Sequence, residues 1–120
     1  KTYFEAIDSV SPSSNVVTID LSKANTFDVT VSDTISRFDV LNPETGASSF
    51  TMKLTQDSTG GYAVGIDTFK NVGGSAIPVY WSGSVVPIVT TTADKTDFYS
   101  FVTFDNGSTF YGVPGGQNFG

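Results

Sequence analysis

Residues 94–119 read D-K-T-D-F-Y-S-F-V-T-F-D-N-G-S-T-F-Y-G-V-P-G-G-Q-N-F, and their alternation decides the fold class. Successive side chains of an extended strand point to opposite faces. Phe98, Ser100, Val102 and Phe104 therefore share one side, Tyr99, Phe101 and Thr103 share the other, and both sides are largely apolar. Such a strand is expected to be covered on both faces. Asp105-Asn106-Gly107-Ser108 supplies residues that tolerate positive φ, as a tight hairpin connection requires, and Phe110, Tyr111 and Val113 resume the run beyond it.

The same period runs back toward the start of the chain. Val17, Ile19 and Leu21 share a face, then Phe27, Val29 and Val31, then Phe38 and Val40 opposed by Arg37 and Asp39. Turn residues at 22–25, 32–33 and 42–46 separate them. Phe50, Met52 and Leu54 alternate with Thr51, Lys53 and Thr55; after the turn Q-D-S-T-G-G at 56–61, Tyr62, Val64 and Ile66 read as the partner strand of a hairpin. Residues 78–81 and 85–90 read as short strands that Pro78 and Pro87 confine to edges or starts. No segment keeps a helical period, and Thr, Val and Ser stand where Ala, Glu, Lys and Leu would build a helix. About eight or nine short strands at spacings of roughly 8 to 12 residues predict an all-β chain, an antiparallel two-sheet β-sandwich of jelly-roll-like type. Residues 9–15, S-V-S-P-S-S-N, read as a linker after a short strand or docking arm at 2–7. The chain thus divides into an N-terminal arm and linker, 1–14, and a sandwich domain, 15–120.

A length of 120 residues suits one domain with a real core. Ten Phe and five Tyr with only 15% charged residues are the opposite of a disordered composition. The formal charge of −6 disfavours nucleic acid and anionic membrane surfaces, whose binding depends on Lys and Arg, and the six basic residues are scattered. No apolar run approaches the ~20 residues needed to cross a bilayer as a helix, so membrane insertion is not expected. Lys1 in place of an initiating Met points to a processed chain or a fragment.

Reaction chemistry is sparse. With no His and no Cys, and no G-x-S-x-G turn, the usual nucleophilic triads and thiolate metal sites are excluded, leaving at most a Ser–Lys dyad. Asp94 with Asp97, or Asp57 with Asp67, are the carboxylate pairs a glycosidase would need, yet Asp57 and Asp105 sit in turns where a short carboxylate accepts backbone N–H bonds. An enzyme is not expected. Asp94, Asp97, Asp105 and Asn106 offer hard oxygen ligands, which makes structural calcium the one metal option against a general expectation of no cofactor. The glycine pairs at 60–61, 73–74 and 115–116 lack the Lys-Ser/Thr of a phosphate loop. Phe98, Phe101, Phe104, Phe110, Tyr111 and Phe119 are the candidate packing or interface residues; Tyr80 and Trp81 are candidate receptor or glycan contacts if exposed, although core or subunit-interface packing is the commoner fate of such rings.

From about Asn15 onward the order of pieces resembles a small β-rich module of tailed-bacteriophage virion proteins, of the kind found near the C-terminus of tail-fibre and other appendage chains. The residues that carry the likeness are V-V-T-I-D-L-S-K-A-N-T-F-D-V-T-V at 16–31, L-T-Q-D-S-T-G-G at 54–61, the stretch 90–104, and T-F-Y-G-V-P-G-G-Q-N-F at 109–119. The resemblance implies a structural protein located in the virion, in a tail fibre, neck, baseplate or capsid appendage. It implies contacts with other virion proteins, a homo-oligomer with a trimer favoured, and a host-surface glycan or protein as a further partner. It carries no catalytic residues. The alternative class is a carbohydrate-binding module that uses exposed aromatics.

Overall fold

The computed structural model describes residues 6–120 and contains ten strands with a single short 3-10 turn, Ser82–Ser84. The strands are β1 (Ile7–Val10), β2 (Val16–Asp20), β3 (Thr26–Val31), β4 (Arg37–Leu41), β5 (Ser48–Gln56), β6 (Phe69–Lys70), β7 (Ala76–Ile77), β8 (Val79–Trp81), β9 (Thr96–Thr103) and β10 (Phe110–Phe119). They form a six-stranded sheet in the order β1-β3-β5-β9-β10-β8 and a four-stranded sheet in the order β2-β4-β6-β7.

From β1 to β6 the chain alternates between the two sheets, and each strand pairs in parallel with the one laid down two earlier. The register stacks like on like: Val10 beside Val29 beside Leu54 in one sheet, Val17 beside Phe38 beside Phe69 in the other. The connections explain the pattern. A tight in-plane turn returns the chain antiparallel to itself, whereas the segments at 11–15, 21–25, 32–36 and 42–47 arch from one layer to the other. Positive φ at Ser14 (51°), Asn15 (66°) and Asn42 (53°) bends two of these arches. After β6 the winding stops. β9 then pairs antiparallel with β5, and β10 antiparallel with β9, while β8 runs parallel to β10.

The inner faces are apolar and closed. Phe50 of the six-stranded sheet and Phe69 of the four-stranded sheet lie 6.3 Å apart, and Phe101 sits 5.0 Å from each. Phe27, Phe38 and Phe110 complete the cluster edge-on at 6.0, 5.7 and 5.5 Å from Phe50 or Phe69. Each such ring pair adds roughly 0.5–1.5 kcal/mol beyond its buried area. The 105–108 turn joins β9 to β10 as read, with Asn106 at φ 61° and Gly107 at φ 80°. Gly107 is obligatory there, since a Cβ would fall 2.4 Å from Pro43.

Several readings are corrected by the pairing. The antiparallel arrangement is confined to β5-β9-β10 and β6-β7; the winding half is parallel, so the sheets are mixed rather than those of a jelly roll. Tyr62, Val64 and Ile66 do not partner β5, whose two neighbours are β3 and β9; Val64 makes one isolated parallel bridge to Ile35. Residues 85–90 are extended but unpaired. Ser9 and Val10, read within the linker, belong to β1, and the arm expected at 2–7 lies outside the described residues up to Glu5. The face of β9 that carries Phe98, Ser100 and Val102 has no covering layer in the single chain: these three are half-buried, and Phe104 beyond them is exposed.

Candidate interaction face

Alternation along β9 and β10 divides the candidate aromatics between two environments. Phe101 and Phe110 point inward and are fully buried. Trp81 also points inward: it is 7% exposed and packs edge-on against Tyr99 and Phe101 at 6.1 and 5.5 Å. It is therefore a core residue and not an exposed platform. Its ring fits because β10 presents Gly112 beside it, where a Cβ would lie 2.6 Å from Cζ3.

The other parity faces out. Register places Tyr111 between Val102 and Tyr80, and Val113 beside Ser100. The Tyr80 and Tyr111 rings are 6.0 Å apart, Phe104 lies 6.1 Å from Tyr111, and Phe119 packs edge-on against Phe98 at 5.5 Å. Exposure of 70% at Phe104, 58% at Tyr80, 52% at Val113 and 48% at Tyr111 makes this a continuous apolar surface. Of the eight candidates, the structure brings Phe104, Tyr111 and Tyr80 together on one open face and sets Phe98 and Phe119 beside each other; Phe101, Phe110 and Trp81 lie beneath it in the core.

A feature missed in the reading above extends the surface. Residues 85–88 form a strap beside β8, with Val85 69% and Ile88 88% exposed. A groove of about 150 Å³ runs between strap and strand, lined by Val79, Tyr80, Trp81, Ser84 and Val86. The signal was available: no Asp, Glu, Lys or Arg occurs at 71–93 or at 106–120, although the chain carries eighteen such residues by its counts of 6 basic and 12 acidic. These two uncharged stretches meet at β8 and β10.

A polar knot holds the region in place from behind. The Asp97 carboxylate, 1% exposed, accepts bonds from Thr90 N–H (2.8 Å), Asn118 N–H (2.8 Å) and the Tyr99 hydroxyl (2.9 Å). Gln117 Nε2 donates to Tyr99 Oη (2.8 Å) and to the Ile88 carbonyl (2.7 Å), so strap, tail and β9 are tied through one buried carboxylate. Burial alone would raise the Asp97 carboxyl; the bonds from Thr90, Asn118 and Tyr99 outweigh it and hold it below its ordinary value. Burial, reinforced by the Asp97 carboxylate, pushes the Tyr99 hydroxyl up.

Three of the four hard-oxygen candidates, Asp97, Asp105 and Asn106, and Asp57 of the carboxylate pairs are engaged by backbone N–H groups, with hydroxyl bonds to Asp97 and Asp105 besides. Asp97 is used as described, Asp105 accepts from Thr103 Oγ1 and Thr109 N–H, Asn106 Oδ1 accepts from Gly46 N–H, and Asp57 accepts from Thr59 and Gly60 N–H. Among the described residues no group of three His, Cys, Asp or Glu is arranged to hold a metal ion. Compared with protein-family models, with curated proteins and with solved structures, the chain matches none.

Proposed function

We propose that the chain is a non-enzymatic structural module of a tailed-bacteriophage virion, part of a tail fibre, neck, baseplate or capsid appendage, which assembles with copies of itself through the uncharged face of β8, β9 and β10. The virion assignment rests on the ordered motifs at 16–31, 54–61, 90–104 and 109–119. The observation that carries the assembly reading is the continuous exposed surface of Tyr80, Tyr111, Phe104 and Val113, free of charge in a chain of net charge −6. Copies of an acidic protein repel one another, and a neutral apolar face is where they meet at least cost. With Val85, Val86, Ile88 and Phe119 the surface amounts to roughly 800 Å², comparable to what one partner contributes to a standard interface. A trimer is the favoured state, with other virion proteins as further partners.

Light scattering of the full chain across the micromolar range tests the reading. A mass that rises to a defined multiple, and falls to that of the monomer in Tyr111→Lys with an unchanged circular-dichroism spectrum, supports it; a wild-type monomer at every concentration refutes the assembly. Mass spectrometry of intact phage particles containing the chain, giving its copy number, tests the virion assignment. A carbohydrate-binding role is the second reading, and the exposed pair Tyr80 and Tyr111 favours it as a stacking surface. Glycan-array binding lost in Tyr80→Ala would support it.

A further inference from the structure

β8 is the last strand of the six-stranded sheet, and one of its edges is open. The Phe110 N–H donates to the Pro78 carbonyl. In a parallel ladder this turns the N–H and C=O of Tyr80 toward β10 and leaves those of Val79 and Trp81 facing the free edge. The groove lies beside this strand and is lined by Val79, Tyr80 and Trp81, with Ser84 of the 3-10 turn and Val86 of the strap. An unpaired strand edge and a groove beside it coincide at one place.

The strand directions say what fits. β1, β3 and β5 run together, β9 runs against them, and β10 and β8 run with them again. The two outer strands among the described residues, β1 and β8, are therefore parallel, so β1 of one copy can continue the sheet of the next beyond β8. Each copy then offers one donor edge and one acceptor edge. Such a head-to-tail contact closes into a ring when its rotation permits. Ile7 of β1, 67% exposed, brings an apolar side chain to an acceptor site whose flanks carry no charge between residues 71 and 93.

We propose that the β8 edge is a strand-accepting site whose occupant is β1 of a second copy, added in parallel. This rests on self-assembly as proposed above and adds to its face contact a second one at the sheet edge. Two readouts exist, the second of them clean because the chain has no Cys. The first is hydrogen exchange by NMR on the full chain: in the assembled protein the Val79 and Trp81 amides are expected to slow by about 100-fold or more relative to the dilute monomer. The second is crosslinking with a short bis-maleimide. Ser9→Cys protein mixed with Ser84→Cys protein should give a mixed dimer, while neither variant alone should crosslink. Assembly that leaves these two amides fast-exchanging overturns the strand-addition site but not the assembly reading. Self-crosslinking of Ser84→Cys alone shows β8 meeting β8 and overturns β1 as the occupant. A protein that stays monomeric overturns both. Val86→Lys, which places a charge in the groove without touching the core cluster, is expected to abolish the slowed exchange while keeping the monomer's spectrum.

Discussion

The two halves of the six-stranded sheet bury their inner faces equally well and differ on the outside. On β3 and β5 the outward positions are Thr26, Asp28, Thr30, Thr51, Lys53 and Thr55, paired across strands through Lys53 and Asp28 at 4.0 Å and through hydroxyl bonds to β9, Thr51 to Ser100 at 3.2 Å and Thr55 to Thr96 at 2.9 Å. On β10 and β8 the same parity carries Tyr111, Val113 and Tyr80. An antiparallel or mixed sheet with one solvated face needs only the first kind of surface. The second kind is not demanded by folding, which is why it is read as a surface for contact.

If both halves share one core, the largest effects must come from the residues where they meet. Phe69→Ala removes the four-stranded sheet's contact with Phe50, Phe101 and Phe110 together, and is expected to cost about 3–5 kcal/mol, measured by urea unfolding. Gly112→Ala should follow at about 1–3 kcal/mol, because its Cβ would fall 2.6 Å from the Trp81 ring and neither β10 nor β8 can yield without breaking their ladder. Tryptophan emission moving to the red in that variant would locate the strain at β8. A Gly112→Ala protein as stable as wild type, with unshifted emission, would mean that the antiparallel half is looser than the wound half.

Asp97→Asn sharpens the comparison within the half that carries the open apolar face, since this one buried carboxylate ties the strap and the end of β10 to β9. An amide accepts through one oxygen only, so at least one of the Thr90 and Asn118 bonds is weakened, at about 1–3 kcal/mol. The wild type should show the matching acid dependence. Asp97 has a folded pKa below its unfolded value of about 3.9, so its contribution is present above that value and is lost as the pH falls through the lowered folded one. Wild type and Asp97→Asn are therefore expected to converge in stability at low pH and diverge above about pH 4. A constant difference across that range would assign the effect to packing.

Period-two alternation identified β2, β3, β4, β5, β9 and β10, and for β2 to β5 also the buried face, because inward residues such as Phe27, Val29 and Val31 must be apolar whichever strand lies alongside. It is silent on neighbours. Phe50, Met52 and Leu54 look the same beside an antiparallel Tyr62-Val64-Ile66 as beside the parallel β3 that they in fact join. The difference lies in whether a connection turns in the plane or arches between layers, and residues such as Asn42 at φ 53° serve either. Alternation alone left Trp81 open between core and surface for a related reason: its burial depends on Gly112, thirty-one positions later by number and adjacent only through the parallel β8–β10 pair. The open face was legible in part, since Phe98 to Phe104 showed two apolar sides and one sandwich has a single interior.

The smallest effect on folding is expected where the effect on assembly is greatest. Phe104 is 70% exposed and touches only Tyr111 among the aromatics, so Phe104→Ser should change monomer stability by no more than about 0.5 kcal/mol. Thr55→Ser, on the hydroxyl half of the same sheet, should be as mild. The two variants separate in light scattering: Phe104→Ser weakens association at least tenfold, because it removes the most exposed ring of the neutral surface, whereas Thr55→Ser leaves association as it was. Equal behaviour of the two would erase the distinction between the halves, since it would mean that the aromatic side chains on β9 and β10 are mere tolerated exposure and that copies meet elsewhere on the molecule.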